Sequence, residues 1–441
     1  MKFLIENFGC QMNDHDVESM VAVLSGEGLL LVSDVHEADL IIVNTCCVRA
    51  KAEQKFYSRM GRLRTIKRKN GTILGVTGCI AQLEKENLFQ RLPFIDFAFG
   101  PSRINAVGTA VEQARKGVRF SDFSENGKGT PFPVLPIDLK APLRTFVTIM
   151  KGCNNFCSYC VVPYVRGRES SRNSMDVLEE IRMLARGGTK EITLLGQNVN
   201  SYNKNAQDLS FPELLYRIND INGIERIRFV TSHPKDLSEK LIGCFAELDK
   251  LCEAIHLPFQ SGSDRLLKLM NRGYTVDEYR AKIAALKETC PGIAITADCI
   301  VGFPGEGEED FLDTMRLIDE VQFDNIFSFA YSPRKFTSAA QLPGSVPATT
   351  AAERLTRLQK KQKAITTAKN EMMVGTRVEV LVEDFSKNSK EDVTGRTRTN
   401  KIVNFKGNKD MMHNFVEVDI IKGYANSLRG ENPEIKGVYH A

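Results

Sequence analysis

Short apolar runs alternate with amphipathic stretches at the start of the chain. Lys2–Asn7, Leu40–Asn44 and Thr72–Thr77 read as buried strands, and Asp14–Gly26, Val48–Lys69 and Ala81–Arg91 as helices. Strand–helix alternation predicts an open parallel α/β sheet domain over residues 1–118. Pro131, Pro133, Pro136 and Pro142 follow Gly127 and Gly129, so residues 119–142 read as a linker. Six more apolar runs come next: Thr145–Met150, Ile192–Leu195, Ile227–Val230, Ala254–Leu257, Ile293–Val301 and Asn325–Phe329. Helical stretches such as Ser174–Arg186, Asp277–Thr289 and Glu308–Val321 separate them. Six βα units predict a (β/α)6-type partial barrel over residues 143–370, with ligand chemistry at the carboxyl ends of its strands. In residues 371–441 the elements shorten. Thr376–Glu383, Asp392–Thr399, Ile402–Phe405 and Phe415–Ile421 read as strands of a small antiparallel β-barrel.

The chain is therefore expected to be an α/β multidomain protein. Its 441 residues, 42% of them hydrophobic, suffice for more than one core. No run of about eighteen apolar residues is present, and charges interrupt the first residues, so a cytoplasmic protein is expected. Eleven cysteines in that setting read as reduced thiols, suited to metal or redox chemistry. A net charge of +4 does not announce a nucleic-acid binder. The charge is local: Val48–Lys69 holds nine Lys and Arg against one acid, and Arg354–Lys369 is a second basic helix. From Glu371 onward eleven basic residues meet eleven acidic ones, with Arg396, Arg398 and Lys401 the one basic group. No Ser-His-Asp set or carboxylate pair is found, so no catalytic side chain is assigned.

The run Cys153-Asn154-Asn155-Phe156-Cys157-Ser158-Tyr159-Cys160 follows the first strand of the central domain. Three thiolates at this spacing can wrap one 4Fe-4S cluster and leave one iron open for chemistry. A structural zinc site would want a fourth Cys or His close by, and none follows in the loop. Three other cysteine positions lie just past predicted strands of the first domain: Cys10, Cys46 or its neighbour Cys47, and Cys79. Carboxyl ends of parallel strands share one edge, so these thiols can converge on a second three-thiolate cluster. Spacing alone does not choose between Cys46 and Cys47.

The pattern C-x3-C-x2-C with an aromatic before its last cysteine resembles the radical S-adenosylmethionine superfamily. Nearly the whole chain resembles its methylthiotransferase family, tRNA branch. The resemblance runs through Phe8-Gly9-Cys10-Gln11-Met12-Asn13, Asn44-Thr45-Cys46, Thr77-Gly78-Cys79, Gly152–Arg168, Leu194–Tyr202, Thr231-Ser232-His233-Pro234, His256–Ser263 and Asp298–Glu306. It implies a central radical domain, a C-terminal TRAM barrel and two 4Fe-4S clusters. Cys153, Cys157 and Cys160 would hold the one that binds S-adenosylmethionine, and Cys10, Cys46 and Cys79 the auxiliary one. Cys47, where serine is frequent, becomes a bystander. The open irons are expected to face one cavity.

The implied activity is transfer of a methylthio group to carbon 2 of isopentenyl-adenosine beside the anticodon in tRNA. The implied enzyme is a monomer, supplied with electrons by a reductant such as flavodoxin or ferredoxin. Tyr159, Gln197, Asn198, Gln260, Gly302 and Pro304 are candidates to contact S-adenosylmethionine or the base. Gly302-Phe303-Pro304-Gly305 also reads as a plain strand-to-helix turn, and His233 as a turn residue. Arg166, Arg168, Arg396 and Arg398 are candidates for a carboxylate or for RNA phosphate. Rival readings are a methylthiotransferase acting on threonylcarbamoyl-adenosine in tRNA or on a ribosomal-protein aspartate, a non-catalytic iron-sulfur electron carrier, and a tRNA-binding factor whose metal serves only folding.

Overall fold

Every residue of the aliphatic run Leu40–Thr45 is buried, as a central strand of a covered parallel sheet requires. It is β3 of a six-stranded sheet ordered β2-β1-β3-β4-β5-β6. Its partners are β1 (Lys2–Phe8), β2 (Leu30–Leu31), β4 (Ile73–Gly78), β5 (Phe97–Phe99) and β6 (Phe120–Asp122), and every pairing is parallel. Helices α1 (Gln11–Gly26) and α5 (Val107–Arg115) pack on one face. Helices α2 (Ala50–Asn70), α3 (Cys79–Glu84) and α4 (Asn87–Arg91) pack on the other. The sheet runs past residue 118, because Phe120–Asp122 pairs with β5. Strands of two or three residues are too short to leave a periodic signal. Lys85, at φ +49°, divides the helix expected over Ala81–Arg91 in two. The computed structural model describes residues 1–47, 50–124, 141–204, 207–387, 389 and 391–435; most of the expected linker, and Arg49 of the basic helix, lie outside the described residues.

The central domain carries the six expected strands: β7 (Arg144–Thr148), β10 (Glu191–Leu195), β11 (Arg226–Phe229), β12 (Ala254–His256), β13 (Ala294–Val301) and β14 (Asn325–Ala330). A small ribbon, β8 (Met150–Lys151) with β9 (Ser170–Ser171), brackets the cysteine loop and the short helix α6 (Val162–Arg166). Helices α7 (Ser174–Arg186), α8 (Phe211–Asn219), α9 (Glu239–Glu247), α10 (Asp264–Leu269), α11 (Val276–Thr289) and α12 (Glu308–Val321) form the crossovers, and α13 (Ala348–Glu371) packs against β14. The strands pair as two parallel sheets of three, and an isolated parallel bridge joins Ile227 of β11 to Leu251, just ahead of β12. Helix α6 is buried away from this barrel. Val161 and Val165 join the apolar cluster of Val43, Phe56 and Val76 under the N-terminal sheet.

The last domain closes as the barrel β15-β16-β17-β19-β18, made of β15 (Arg377–Phe385), β16 (Asp392–Thr397), β17 (Ile402–Lys406), β18 (Phe415–Gly423) and β19 (Leu428–Ile435). It is antiparallel except where β17 meets β19, a fifth strand absent from the sequence-based expectation. The barrel is docked against the amino ends of the central strands. Glu191, the first residue of β10, is buried, with Arg144 Nε at 2.6 Å and Arg228 Nε at 3.1 Å. Arg144 also reaches Glu383 at 2.5 Å, and Arg226 reaches Glu379 at 2.9 Å. Arg228 donates to the carbonyls of Arg398 at 2.7 Å and Thr397 at 2.8 Å.

Burial raises the Glu191 pKa, but Arg228, Arg144 and Arg226 outweigh it and hold the carboxyl below its ordinary value. Its contribution to stability therefore stands in full above about pH 4.3 and is lost as pH falls through the lowered folded value. Glu191→Gln leaves the guanidinium groups without their shared partner. We expect it to destabilise the folded chain by about 3–5 kcal/mol, measured by denaturant unfolding at neutral pH. The gap between variant and wild type should narrow in acid.

Candidate active site

Register explains how distant cysteines meet. Phe8 of β1 pairs with Thr45 of β3, and Thr45 pairs with Gly78 of β4. Cys46 and Cys79 are the next residues, and Cys10 is two residues past Phe8, at the start of α1. All three therefore leave one edge of adjacent strands. Polar side chains stitch these loops together. Asn13 Nδ2 donates to Asn44 Oδ1 at 3.1 Å and to Thr45 O at 3.0 Å, while Asn44 Nδ2 donates to Asn13 O at 3.0 Å. Thr45 Oγ1 donates to Thr77 O at 2.6 Å and accepts from Ile80 N at 3.1 Å. Gly78 sits at φ +92°, and a Cβ there would lie 2.4 Å from Thr45 O. The asparagines, threonines and glycine around the cysteines are thus parts of one knot.

Four thiols, not three, gather at this edge. Cys46 acts on Cys10, and Cys47 on Cys79, as neighbouring side chains. The Cys46 neighbour lowers Cys10 to about 6 against the opposing effect of burial, with help from the Arg166 charge. Cys79 is lowered in the same way by Cys47. Cys10 is open to solvent on one side, and the other three are buried.

The second trio is held by a different device. Gly152, at φ +75°, leaves no room for a Cβ, which would lie 2.1 Å from Arg168 O. Its N–H donates to Gln197 Oε1 at 2.5 Å, and Cys153 N donates to Gly167 O at 3.3 Å. From the other side comes the turn after α10. Asn271 Nδ2 donates to Phe156 O at 3.0 Å, and Ser158 N donates to Met270 O at 2.9 Å. Arg272 is buried and donates to Cys157 Sγ at 3.4 Å, Tyr159 Oη at 3.3 Å and Pro258 O at 2.8 Å. Burial pushes the Cys153 thiol up to about 11 and Cys160 to about 12, and the Cys157 charge adds to both. These thiols become ligands by losing protons as metal binds.

Arg166 connects the two sites. It lies six residues past Cys160, yet its Nη2 is 2.9 Å from Asp16 Oδ2 on α1, with both side chains buried. Burial opposes its charge, but Asp16, Cys79 and Cys10 together stabilise it. A cavity of about 720 Å³ opens beside this junction. Its wall takes Cys10 and Asp14 from the N-terminal domain, His256, Asp298 and Phe327 from the central strands, Thr231 from just past β11, and Arg396 and Asn400 from the C-terminal domain. Cys153, Cys157 and Cys160 do not line it, so the cavity expected to face both trios reaches Cys10 alone among the six.

The N-terminal residues 2–100 match the uncharacterized protein family UPF0004, residues 147–318 the radical SAM superfamily, and residues 371–432 the TRAM domain. The chain is 52% identical over 430 residues to the tRNA-2-methylthio-N(6)-dimethylallyladenosine synthase of Syntrophus aciditrophicus, covering 97% of this chain and 93% of that protein. It is 52% identical over 431 residues to the protein of that name from Geobacter metallireducens, covering 97% of each. The chain belongs to the methylthiotransferase family of radical S-adenosylmethionine enzymes. Among solved structures, the fold is like that of the radical S-adenosylmethionine methyltransferase TsrM of Kitasatospora setae, with TM-score 0.57 and 16% identity over 77% of this chain and 74% of that one. It is also like OxsB, a cobalamin-dependent S-adenosylmethionine radical enzyme, with TM-score 0.55 and 11% identity over 82% of this chain and 61% of that one.

Both trios fit the clusters of a methylthiotransferase by the chemistry of their donors. Each offers thiols alone, and neighbouring sulfurs feel one another's charge. Among the described residues no three donors meet as a single metal ion requires.

Several expected contact residues have other tasks. Gln197 anchors Gly152, and Tyr159 packs beside the buried Phe303. Gly302 donates to Glu306 at 3.0 Å, and a Cβ there would lie 2.6 Å from Ala351 Cβ. With Pro304 buried as well, this segment is a strand-to-helix turn packed on α13. Gln260 is buried at φ +66°, and its backbone bonds to Asp298 and Ile300. Asn198 Nδ2 donates to Asp236 at 2.8 Å, while its buried Oδ1 has no partner among the described residues. His233 accepts from Lys235 N at 3.2 Å, a turn residue as expected. Arg166 is paired with Asp16 at 2.9 Å, and Arg168 lies over the Phe156 ring at 4.2 Å. Arg398 is bound to Glu253 at 2.7 Å, which occupies it within the domain interface. Asn271 and Arg272 were missed: a polar turn 115 residues past Cys157 bears no spacing relation to the cysteines.

Asn13→Ala removes the hub of the first knot: Asn44 Oδ1 and Thr45 O lose their donor, while Asn44 Nδ2 keeps the main-chain carbonyl of residue 13. Losing such a buried bond costs about 1–3 kcal/mol. In the metal-free protein we expect faster labelling of Cys46 and Cys79 by a thiol reagent, with Cys153, Cys157 and Cys160 unchanged, as read by peptide mass spectrometry.

Proposed function

We propose that this protein transfers a methylthio group to carbon 2 of N6-isopentenyl-adenosine in tRNA. The observation that carries the reading is 52% identity along 97% of the chain to relatives named for that synthase. The two thiol sites, tied by the buried Arg166–Asp16 pair, support it. When bound, a 4Fe-4S cluster at Cys153, Cys157 and Cys160 with S-adenosylmethionine supplies a carbon radical, and a second cluster at Cys10, Cys46 and Cys79 supplies the place for sulfur.

The protein's own residues receive and orient the base. The target carbon lies within a stacked anticodon loop, so the adenosine must be turned out into a pocket. The cavity beside Cys10 has the volume for it. Phe327 is 46% exposed there and offers an aromatic face for stacking. His256 stands next to it, with Nε2 3.4 Å from Asp298 Oδ2 and Nδ1 3.0 Å from Thr296 Oγ1. This fixed polar edge sets the rotation of the purine. Arg396, which lines the cavity and pairs with Glu383 at 3.3 Å, is the candidate for a phosphate. Lys55, Arg62, Arg64, Arg68 and Lys69 on α2 are exposed and extend a basic surface for the RNA backbone. Much of the second basic helix is already engaged: Arg354 pairs with Glu306 at 2.7 Å and Lys369 with Asp324 at 2.6 Å.

The test is nucleoside mass spectrometry of tRNA from a deletion strain. Restoration of 2-methylthio-isopentenyl-adenosine by the wild-type gene but not by Cys157→Ala is expected. Appearance of methylthio-threonylcarbamoyl-adenosine instead would assign the other tRNA branch, and unchanged methylthio-adenosines would overturn the reading. Phe327→Ala should lower kcat/KM for the RNA roughly 5- to 150-fold, the loss of one base–aromatic stack. Iron content should stay the same, since Phe327 touches neither thiol site.

A further inference from the structure

Among the described residues six arginines are buried. Five of them, Arg166, Arg172, Arg226, Arg228 and Arg354, pair with a carboxylate. The sixth, Arg272, is 4% exposed and has no carboxylate within ion-pair distance among the described residues. Each of its nitrogens nevertheless has a partner. Nη2 donates to Pro258 O at 2.8 Å, and Nε donates to Tyr274 Oη at 3.2 Å. Tyr274 Oη in turn donates to Phe259 O at 2.9 Å. These bonds fix the guanidinium from the segment after β12. They leave Nη1 facing the cysteine loop, 3.4 Å from Cys157 Sγ and 3.3 Å from Tyr159 Oη. A buried cation without an opposite charge is strongly unfavourable. Its one uncommitted face lies on a thiol of the trio, so the setting calls for an anion at that spot.

We propose that Arg272 is the counter-charge of the cluster held by Cys153, Cys157 and Cys160, and that it raises that cluster's reduction potential. The proposal rests on placing the cluster on these three thiols, not on which substrate the enzyme modifies. Three thiolates outweigh the positive charge of an oxidised cubane core, so the loaded unit is an anion. One electron from an external donor makes it more negative. A fixed positive charge and an N–H donated to a ligand sulfur both favour the reduced form. The bonds to Pro258 and Tyr274 hold the guanidinium in place beforehand, so no rearrangement accompanies the electron.

The experiment is a redox titration followed by electron paramagnetic resonance, without S-adenosylmethionine. It uses full-length, anaerobically reconstituted protein carrying Cys10→Ala, Cys46→Ala and Cys79→Ala, so that one cluster is observed. Adding Arg272→Gln should shift the reduction equilibrium at least tenfold toward the oxidised form. For one electron that is a fall of about 59 mV in midpoint potential. Arg272→Lys keeps the charge and should show less than half of the fall. Circular dichroism confirms each fold, and Arg272→Met is a second neutral variant. An unchanged potential in folded Arg272→Gln and Arg272→Met overturns the role. An equal fall in Arg272→Lys also overturns it, since packing rather than charge is then responsible. Weaker S-adenosylmethionine binding at an unchanged potential overturns it too, and gives the guanidinium to the cofactor's carboxylate. Iron lost from the neutral variants but kept in Arg272→Lys supports the counter-charge, and iron lost from all three overturns it. A background without iron removes the cluster from these thiols, and this proposal with it. None of these readouts depends on methylthio transfer, so the substrate assignment stands or falls separately.

Discussion

The burial of α6 beneath a sheet that is not its own sets the relation between the two thiol sites. The helix begins two residues after Cys160, and Val161 and Val165 enter the apolar layer that also holds Cys79. Arg166 closes the junction on Asp16 at 2.9 Å. A buried ion pair adds little net stability, but either partner alone in that setting is strongly unfavourable. The pairing therefore acts against any other docking of the two domains. The junction thereby ties the two thiol sites to each other.

A second constraint operates at the opposite end of the central barrel. Three arginines at or near the amino ends of β7 and β11 converge on Glu191, at the start of β10, and then continue into the C-terminal barrel. Their acceptors include main-chain carbonyls of Thr397 and Arg398, so the contact depends on backbone shape as well as on charge. The barrel thereby becomes part of the cavity wall through Arg396 and Asn400.

Much of this was legible in the sequence. The βα alternation marked all six central strands, and the placement of Cys10, Cys46 and Cys79 after apolar runs marked the edge where they meet. Three things were not legible. Strands β2, β5 and β6 are too short to show a period. Asn271 and Arg272 act on the cysteine loop through tertiary packing, which no local pattern records. The basic residues Arg166, Arg398 and Lys401 looked available for a ligand because sequence displays charge but not its partner. Asp16, Glu253 and Asp324 already hold them.

The carbonyl-to-arginine clasp has a mechanical corollary. A module hung on a flexible tether could seize RNA and leave the catalytic chamber undisturbed. Here the Thr397–Arg398 backbone is clamped to β11, so a load on the C-terminal barrel is transmitted to the floor of the barrel above it. The position of the C-terminal barrel and the shape of the cavity wall it completes are in this way coupled.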